Sequence, residues 1–171
     1  MILSRNEILK EIRKGNLTIE PFSRELVGPC SVDFCIGNEF KTIRNRKKIH
    51  VKDNLSYPDD FHKKIKITKD GFLSLKPREL VLGVTKERFT LGKKLCGWIQ
   101  GRSKLARLGL LVHVSSSFIQ PGSDNKQVLE IVNMSPQIIC LHPGAVVGQV
   151  VFQQVKGNAD YKGRFKFQTK P

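Results

Sequence analysis

The chain is organised around residues 97–130, GWIQGRSKLARLGLLVHVSSSFIQPGSDNKQVLE, which combine a predicted short helix with predicted strands. Ser103 is a favourable helix N-cap, so a helix is predicted over residues 104–108, and Gly109 can end it in the left-handed conformation. Ser103 and Arg107 are four residues apart and therefore share one face of this helix. Because the first N–H groups of a helix have no partner within it, this turn would present a hydroxyl, a guanidinium and backbone donors to an anion.

The end of the same stretch places one carboxylate in an apolar strand. Residues 127–133, QVLEIVN, are typical of a buried strand with Glu130 near its centre. A carboxylate in such surroundings is costly to bury unless it is paired or used, so its pKa should be perturbed. Glu130 is therefore a candidate general base, and a structural ion pair with a neighbouring Arg or Lys is the alternative.

The rest of the chain reads as short strands separated by turn signals. Predicted strands cover residues 31–37, 72–75, 80–85, 97–100, 110–115, 127–133, 138–141 and 146–153, with Pro and Gly between many of them. Strands at this spacing predict an all-β sandwich or jelly roll. Before them, residues 4–7, SRNE, form the pattern of a capping box, followed by a short amphipathic helix that ends at Gly15.

The composition indicates one domain with an anionic partner. The 171 residues carry a net charge of +15, from 30 Lys and Arg against 15 Asp and Glu, which suits a nucleic acid, a polyphosphate or an acidic surface. Residues 1–155 are predicted to form the single β domain. The basic tail, residues 156–171, is predicted to be mobile or to be ordered by a ligand or a neighbouring subunit. Residues 41–70 form a polar excursion, for which a solvated face is favoured over a nucleic-acid patch.

The cysteines and hydrophobic runs indicate a reducing location. The four cysteines show no CxxC pair and the four histidines do not cluster with them, so zinc is not expected. The cysteines lie in apolar runs and are predicted to be buried free thiols. The chain shows neither a signal peptide nor a run of about 20 apolar residues, and the prediction is a cytoplasmic protein without a membrane span.

Three segments of the chain resemble the dCTP deaminase family of the dCTP deaminase/dUTPase superfamily. They are GPCSVDFCIGNEF at 28–40, GWIQGRSKLARLGLLVHV at 97–114 and LHPGAVVGQVVF at 141–152. The resemblance implies a mainly β, dUTPase-like distorted barrel or jelly roll with a short N-terminal helix and one short helix at 103–108. It implies a homotrimer whose active sites are shared between adjacent subunits. It also implies hydrolytic deamination of dCTP to dUTP and ammonia, with Mg²⁺ bound through the triphosphate and no zinc.

The resemblance also assigns roles to residues by position. Glu130 falls on the glutamate that activates water for attack at cytosine C4. Ser103 and Arg107 fall on the serine and arginine beside this glutamate, which position the cytosine base. The nucleotide contacts implied in the same way are Arg102, Lys104, Val114, Ser116, Gln120, Val128, Leu129, Gln149, Tyr161, Phe165 and Gln168. Among these, Arg102 and Gln149 would contact the phosphates, and Val128 and Leu129 would use their backbone groups.

Two departures from the family pattern leave other activities open. Lys104 stands where the family usually has a second serine, and Gln120 stands where it usually has an aspartate in an I-D-P-G turn. In the dUTPase branch that aspartate orients the attacking water, and a neutral amide is a poor base, so Gln120 weighs against dUTP hydrolysis. The alternatives are a dUTP diphosphatase or bifunctional enzyme that releases dUMP and diphosphate, and a non-catalytic nucleotide-binding relative. Nucleic-acid binding is disfavoured, because the strands lack alternating exposed aromatic residues.

Overall fold

The computed structural model describes residues 1–43, 48–49, 51 and 61–171. In chain order the elements are α1 (Arg5–Arg13), β1 (Leu17–Glu20), a 3-10 turn (Arg24–Leu26), β2 (Val32–Ile43), β3 (His62–Ile65), β4 (Leu73–Leu75), β5 (Leu80–Leu91), β6 (Leu95–Gly101), α2 (Ser103–Ala106), β7 (Leu110–Leu111), β8 (Phe118–Ile119), β9 (Asp124–Asn133), β10 (Ile139–Leu141) and β11 (Val146–Gln154). Of the predicted polar excursion, residues 41–70, positions 44–47, 50 and 52–60 lie outside the described residues, and the described part includes the end of β2 and all of β3.

The described strands form one large antiparallel sheet and one small one. Nine strands make the large sheet in the order β7-β9-β5-β2-β11-β6-β8, with β1 also paired to β5 and β3 to β2. Strands β10 and β4 form the two-stranded sheet. The large sheet curls into a half-barrel, which confirms the prediction of a mainly β, distorted barrel or jelly-roll fold with two short helices.

Aromatic packing fixes the strands that carry the polar clusters described below. Phe34, Phe89 and Phe152 are fully buried, and the ring centroid of Phe89 lies 6.5 Å from each of the other two. Gly148 on β11 lies directly against the Phe34 ring, so that even a methyl group would overlap it. This close approach holds β11 between β2 and β6 and thereby sets the position of the next residue, Gln149.

Neither helix uses the side-chain cap that the sequence indicated. Ser4 is the N-cap of α1, but its hydroxyl makes no capping hydrogen bond, so the predicted capping box does not form. Helix α2 begins at Ser103 itself, because Arg102 keeps an extended backbone and is the N-cap; the predicted cap was wrong by one residue. The helix also ends at Ala106, before the predicted Leu108. Gly109 follows in the left-handed region with φ of 78°, as predicted.

Strand β9 differs from the uniformly buried strand that its apolar residues predicted. It begins at Asp124 rather than at residue 127, and its burial alternates from one residue to the next. Leu129 and Ile131 are fully buried in the core. Glu130 points to the opposite face and is only half-buried, so its carboxylate is available to a site instead of being enclosed by the core.

The cysteines divide into two groups, which corrects the prediction that all four are buried. Cys35 and Cys96 are buried free thiols, and Cys30 and Cys140 are exposed free thiols. Burial, followed by the neighbouring Glu87 carboxylate, raises the pKa of the Cys35 thiol to about 11. In the part of the chain that the structure describes, no helix is long and apolar enough to cross a membrane.

We expect Asp124→Asn to destabilise the protein by about 1–2 kcal/mol at neutral pH, because a partly exposed, charged hydrogen-bond pair is lost. Asp124 accepts hydrogen bonds from Arg88 Nε and Nη2 at 2.6 and 2.7 Å and from the Thr90 hydroxyl at 2.7 Å. The Arg88 hydrogen bond is the main reason that the pKa of Asp124 lies below its ordinary value, although burial opposes the shift.

The sign of the shift fixes the pH dependence of this effect. A lowered native pKa stabilises the fold fully above the unfolded pKa of Asp124, and this contribution is lost as the pH falls through the native pKa. Urea unfolding at a series of pH values should therefore show wild type and Asp124→Asn converging in acid. Asp70→Asn, at an exposed turn position, is the control and should change stability little. If the free energies of unfolding of wild type and Asp124→Asn differ by the same amount at neutral and acid pH, the pH dependence does not come from Asp124.

Candidate active site

A cleft of about 1040 Å³ opens beside β9 and the C-terminal segment. Its lining comes from β9, from residues 116–120, from the end of β2 with the start of β3, and from residues 161–171. Glu130 and Val128 line it from β9. The predicted substrate contacts Ser116, Gln120, Tyr161, Phe165 and Gln168 line it as well. Six of the predicted site residues in addition to Glu130 are thus brought around one cavity.

Glu130 is held by donors from a single short segment. Its Oε2 accepts hydrogen bonds from the backbone N–H groups of Val114 at 2.9 Å, Ser115 at 2.6 Å and Ser116 at 3.3 Å. Its Oε1 accepts one from the Ser115 hydroxyl at 2.9 Å. Oε2 therefore accepts three hydrogen bonds and Oε1 one, which leaves Oε1 able to accept a further donor.

These hydrogen bonds decide the charge of the carboxylate. Burial alone would raise the pKa of Glu130, but the hydrogen bonds from Ser115, Val114 and Ser116 outweigh it and the pKa lies below its ordinary value. The sequence indicated a perturbed pKa for Glu130, with a neighbouring Arg or Lys as the alternative partner of the carboxylate. In the structure the lowering instead comes from residues 114–116, and Glu130 is ionised at neutral pH.

The segment that holds Glu130 departs from its predicted strand. Strand β7 pairs with β9 only at Leu110–Asn133 and Leu111–Val132, whereas the prediction continued to Ser115. Beyond Leu111 the chain leaves the ladder and turns its N–H groups toward the side chain of Glu130. A side-chain carboxylate thus replaces the backbone acceptors that a longer strand would have used.

A second polar cluster lies where β2, β6 and β11 are adjacent. Arg102 Nη1 lies 3.2 Å from Asp33 Oδ2. The Ser31 hydroxyl donates to Gln149 Oε1 at 2.7 Å, and Gln149 Nε2 donates to the carbonyl of Gly101 at 3.3 Å. The antiparallel register places Gln149 opposite Asp33, so two predicted phosphate contacts, Arg102 and Gln149, share this cluster.

The predicted catalytic residues Ser103 and Arg107 and the predicted substrate contact Lys104 do not line the cleft. Ser103, Lys104 and Arg107 belong to α2 or its C-cap, and none of them is among the residues that line the cleft with Glu130. Within one chain, the cleft that Glu130 lines is therefore formed without Ser103 and Arg107. The Leu129 side chain is fully buried, so only its backbone can face a nucleotide, as the resemblance implied.

The C-terminal segment packs against β9 of its own chain. The N–H groups of Asp124 and Lys126 donate to the carbonyls of Lys166 and Gln168, both at 3.0 Å. The Asn125 amide donates to the Phe165 carbonyl at 2.7 Å. These contacts place the segment along the cleft; its predicted mobility stays a prediction.

Sequence reasoning missed the polar side chains at the start of β9. Asn125 and Gln127 are buried, at 5% and 8% exposure, and both line the cleft. Gln127 Nε2 donates to Asn125 Oδ1. Their alternation with Ser123 was a signal for a polar strand face, but the predicted strand began only at Gln127. Arg164 of the C-terminal segment also lines the cleft and was not predicted.

Comparison with known proteins gives a family and close sequence relatives. The dCTP deaminase-like family model matches residues 2–155. The chain is 38% identical to a dUMP-forming dCTP deaminase of Corynebacterium glutamicum over 160 residues, which is 94% of this chain and 84% of the relative. It is 38% identical to a dCTP deaminase of Marinomonas over 169 residues, covering 94% of this chain and 87% of the relative.

The solved structures that it resembles have the same fold. The 2′-deoxycytidine 5′-triphosphate deaminase of Agrobacterium tumefaciens aligns with a TM-score of 0.67 at 17% identity. The alignment covers 91% of this chain but 48% of that one, so this chain spans about half of its length. A dUTPase of staphylococcal bacteriophage 80alpha aligns with a TM-score of 0.51 at 11% identity, covering 86% of this chain and 96% of the dUTPase. At these identities the likeness concerns the fold alone.

Proposed function

This chain belongs to the dCTP deaminase-like family, and on that premise we propose that it hydrolyses dCTP to dUTP and ammonia. The observation that carries the proposal is the ionised Glu130, which is held by residues 114–116 and lines the cleft. The product would enter pyrimidine deoxynucleotide metabolism in the cytoplasm. Four free thiols suit that reducing compartment.

In the proposed reaction Glu130 orients a water molecule and takes its proton. The hydroxide adds to C4 of cytosine across the N3=C4 bond, and Glu130 delivers the proton that it took from water to N3. The hydroxyl of this adduct then gives its proton, through Glu130, to the exocyclic amine. The C4–N bond then breaks, ammonia leaves, and the oxygen remains as the C4 carbonyl of uracil. Because three backbone donors favour the anion, Glu130 holds the proton only briefly before passing it on.

The chain would bind the phosphates with the second cluster and with α2. Arg102 and Lys104 supply positive charge, and Gln149 supplies an amide beside Arg102. Magnesium would arrive with the triphosphate and neutralise part of its charge. In the described ranges, no three His, Cys, Asp or Glu side chains converge on one point.

We further propose a homotrimer in which each active site lies between adjacent subunits. Glu130 and the nucleotide-binding cleft would come from one subunit, and Ser103 with Arg107 from the next. The separation of α2 from the cleft within one chain supports this arrangement. Leu108 and Met134 are 56% and 62% exposed close to the Gly109–Met134 hydrogen bond, and such apolar surface suits a subunit contact.

A second candidate function is the conversion of dCTP to dUMP, which releases diphosphate as well as ammonia. The name of the Corynebacterium relative favours it. Gln120 weighs against it, because the cleft carries a neutral amide at this position and an amide cannot take a proton from water.

The product pattern decides between these activities. The protein is incubated with magnesium and dCTP, and separately with dUTP, and nucleotides, ammonia and diphosphate are resolved. We expect dCTP to give dUTP and ammonia without diphosphate. Diphosphate from dUTP would establish the dUMP-forming activity despite Gln120. Turnover of neither nucleotide, with measurable binding, would establish a non-catalytic relative and refute the proposal.

A further inference from the structure

The C-terminal segment is anchored by one carboxylate outside the cleft. Asp160 Oδ2 lies 3.3 Å from Lys93 Nζ, and Asp160 Oδ1 lies 2.8 Å from Lys166 Nζ. Lys93 belongs to the turn between β5 and β6, whereas Lys166 lies further along the same C-terminal segment. Hydrogen bonds from Lys166 and then Lys93 hold the pKa of Asp160 below its ordinary value. As an anion, Asp160 thus links Lys166 of the C-terminal segment to Lys93 of the β domain.

The backbone on both sides of Asp160 is held as well. The N–H of Ala159 donates to the Lys93 carbonyl at 2.9 Å, and the N–H of Tyr161 donates to the Pro121 carbonyl at 2.8 Å. Gly122 approaches so closely that an added Cβ would overlap the Asp160 carboxylate. The turn at 121–122 and the Asp160 carboxylate therefore pack closely, and this contact holds the C-terminal segment on the domain.

The bridge from Asp160 to Lys166 determines where the intervening residues lie. Lys166 is fixed at its other side, because its carbonyl accepts the N–H of Asp124 on β9. The loop 160–166 is consequently held at both ends. Between those ends, Tyr161, Arg164 and Phe165 line the cleft that contains Glu130.

We propose that Asp160 is a positioning residue for the deamination reaction: by bridging Lys93 and Lys166 it keeps residues 161–168 closed along the nucleotide cleft. Asp160 does not line the cleft and acts only through the segment. This inference rests on the proposed function for its kinetic consequence. The structural consequence, closure of the segment in the absence of nucleotide, is independent of the proposed function.

Loss of the bridge should weaken nucleotide binding more than it slows chemistry. If the closed segment is populated only fractionally, the apparent affinity falls by that fraction, whereas saturating nucleotide can still restore closure. We expect Asp160→Asn to raise KM for dCTP about 3–10-fold with kcat within about twofold of wild type. Glu130 and its donors remain intact in this variant. The conservative Asp160→Glu should recover part of the affinity.

Limited proteolysis tests closure without requiring turnover. Trypsin can cut after Lys162 and Arg164, both in the held loop, and cleavage of a transiently opened segment follows the population of its open form. Without nucleotide, Asp160→Asn should be cut at these positions several-fold faster than wild type, and Asp70→Asn should be cut at the wild-type rate. Thermal unfolding of the variants should differ little, which separates positioning from general stability.

The two readouts separate this inference from the proposed function. If wild type turns over no dCTP while Asp160→Asn still accelerates cleavage, the proposed function fails and the closure stands. If cleavage and KM are both unchanged in Asp160→Asn, the positioning role is overturned. A fall in kcat at unchanged KM would also overturn it, because it would place Asp160 in the chemical step.

Discussion

Replacing Glu130 by glutamine should lower the rate of dCTP deamination by about 10²–10⁴-fold, the usual contribution of a positioned general base. Glutamine has nearly the same shape, and its amide oxygen can still accept hydrogen bonds from residues 114–116. It cannot accept a proton, so water would be bound but not activated. Ammonia release at saturating dCTP measures the loss of turnover, and calorimetric titration with dCTP should show that binding is largely retained.

Two further variants make this result specific. Ser115→Ala removes one donor to Oε1 and leaves the three backbone donors to Oε2, so it should cost only about tenfold in turnover. Glu25→Gln removes an exposed carboxylate elsewhere in the chain and should leave the rate unchanged. If Glu130→Gln deaminates dCTP at the wild-type rate, the carboxylate is structural and the proposed mechanism is wrong.

The elements that the sequence predicted well are those determined by local patterns. Turn residues between apolar runs located most of the strands, and the left-handed turn after α2 was located at Gly109, whose φ of 78° favours glycine. The strand that carries Glu130 was recognised from its apolar neighbours. Its start at Asp124 was missed, since Asp124 owes its strand conformation to pairing with β5 and to Arg88.

The features that the sequence did not predict depend on contacts between distant residues. Nothing local in VHVSSS indicates that Val114, Ser115 and Ser116 would leave a strand in order to bind a carboxylate. The hydrogen bonds from this segment to Glu130 form because β7 pairs with β9. The same applies to Asp160, whose partners Lys93 and Lys166 are distant in the chain and are brought together by the fold.

Mixing two inactive variants should restore deamination, which is the strongest test of a site shared between subunits. Ser103→Ala and Glu130→Gln proteins would be unfolded, combined in equal amounts and refolded together. If Glu130 of one subunit works with Ser103 of the next in a closed trimer, about one quarter of the sites in the mixture have both residues intact. Activity per site should then reach about a quarter of wild type, far above either parent. Ammonia release by the co-refolded mixture measures its activity, and light scattering measures the mass of the trimer.

The two possible arrangements predict different activities for the mixture. In a cyclic trimer every interface joins one face of a subunit to a different face of its neighbour, so a mixed site can combine an intact Glu130 with an intact Ser103. If both residues served the same subunit, every site in the mixture would lack one of them and activity would remain at the parental level. The matched control combines Glu130→Gln with the double variant Ser103→Ala, Glu130→Gln, in which no subunit has the carboxylate. Recovery in the first mixture but not in the control would establish that α2 of one subunit completes the cleft of another.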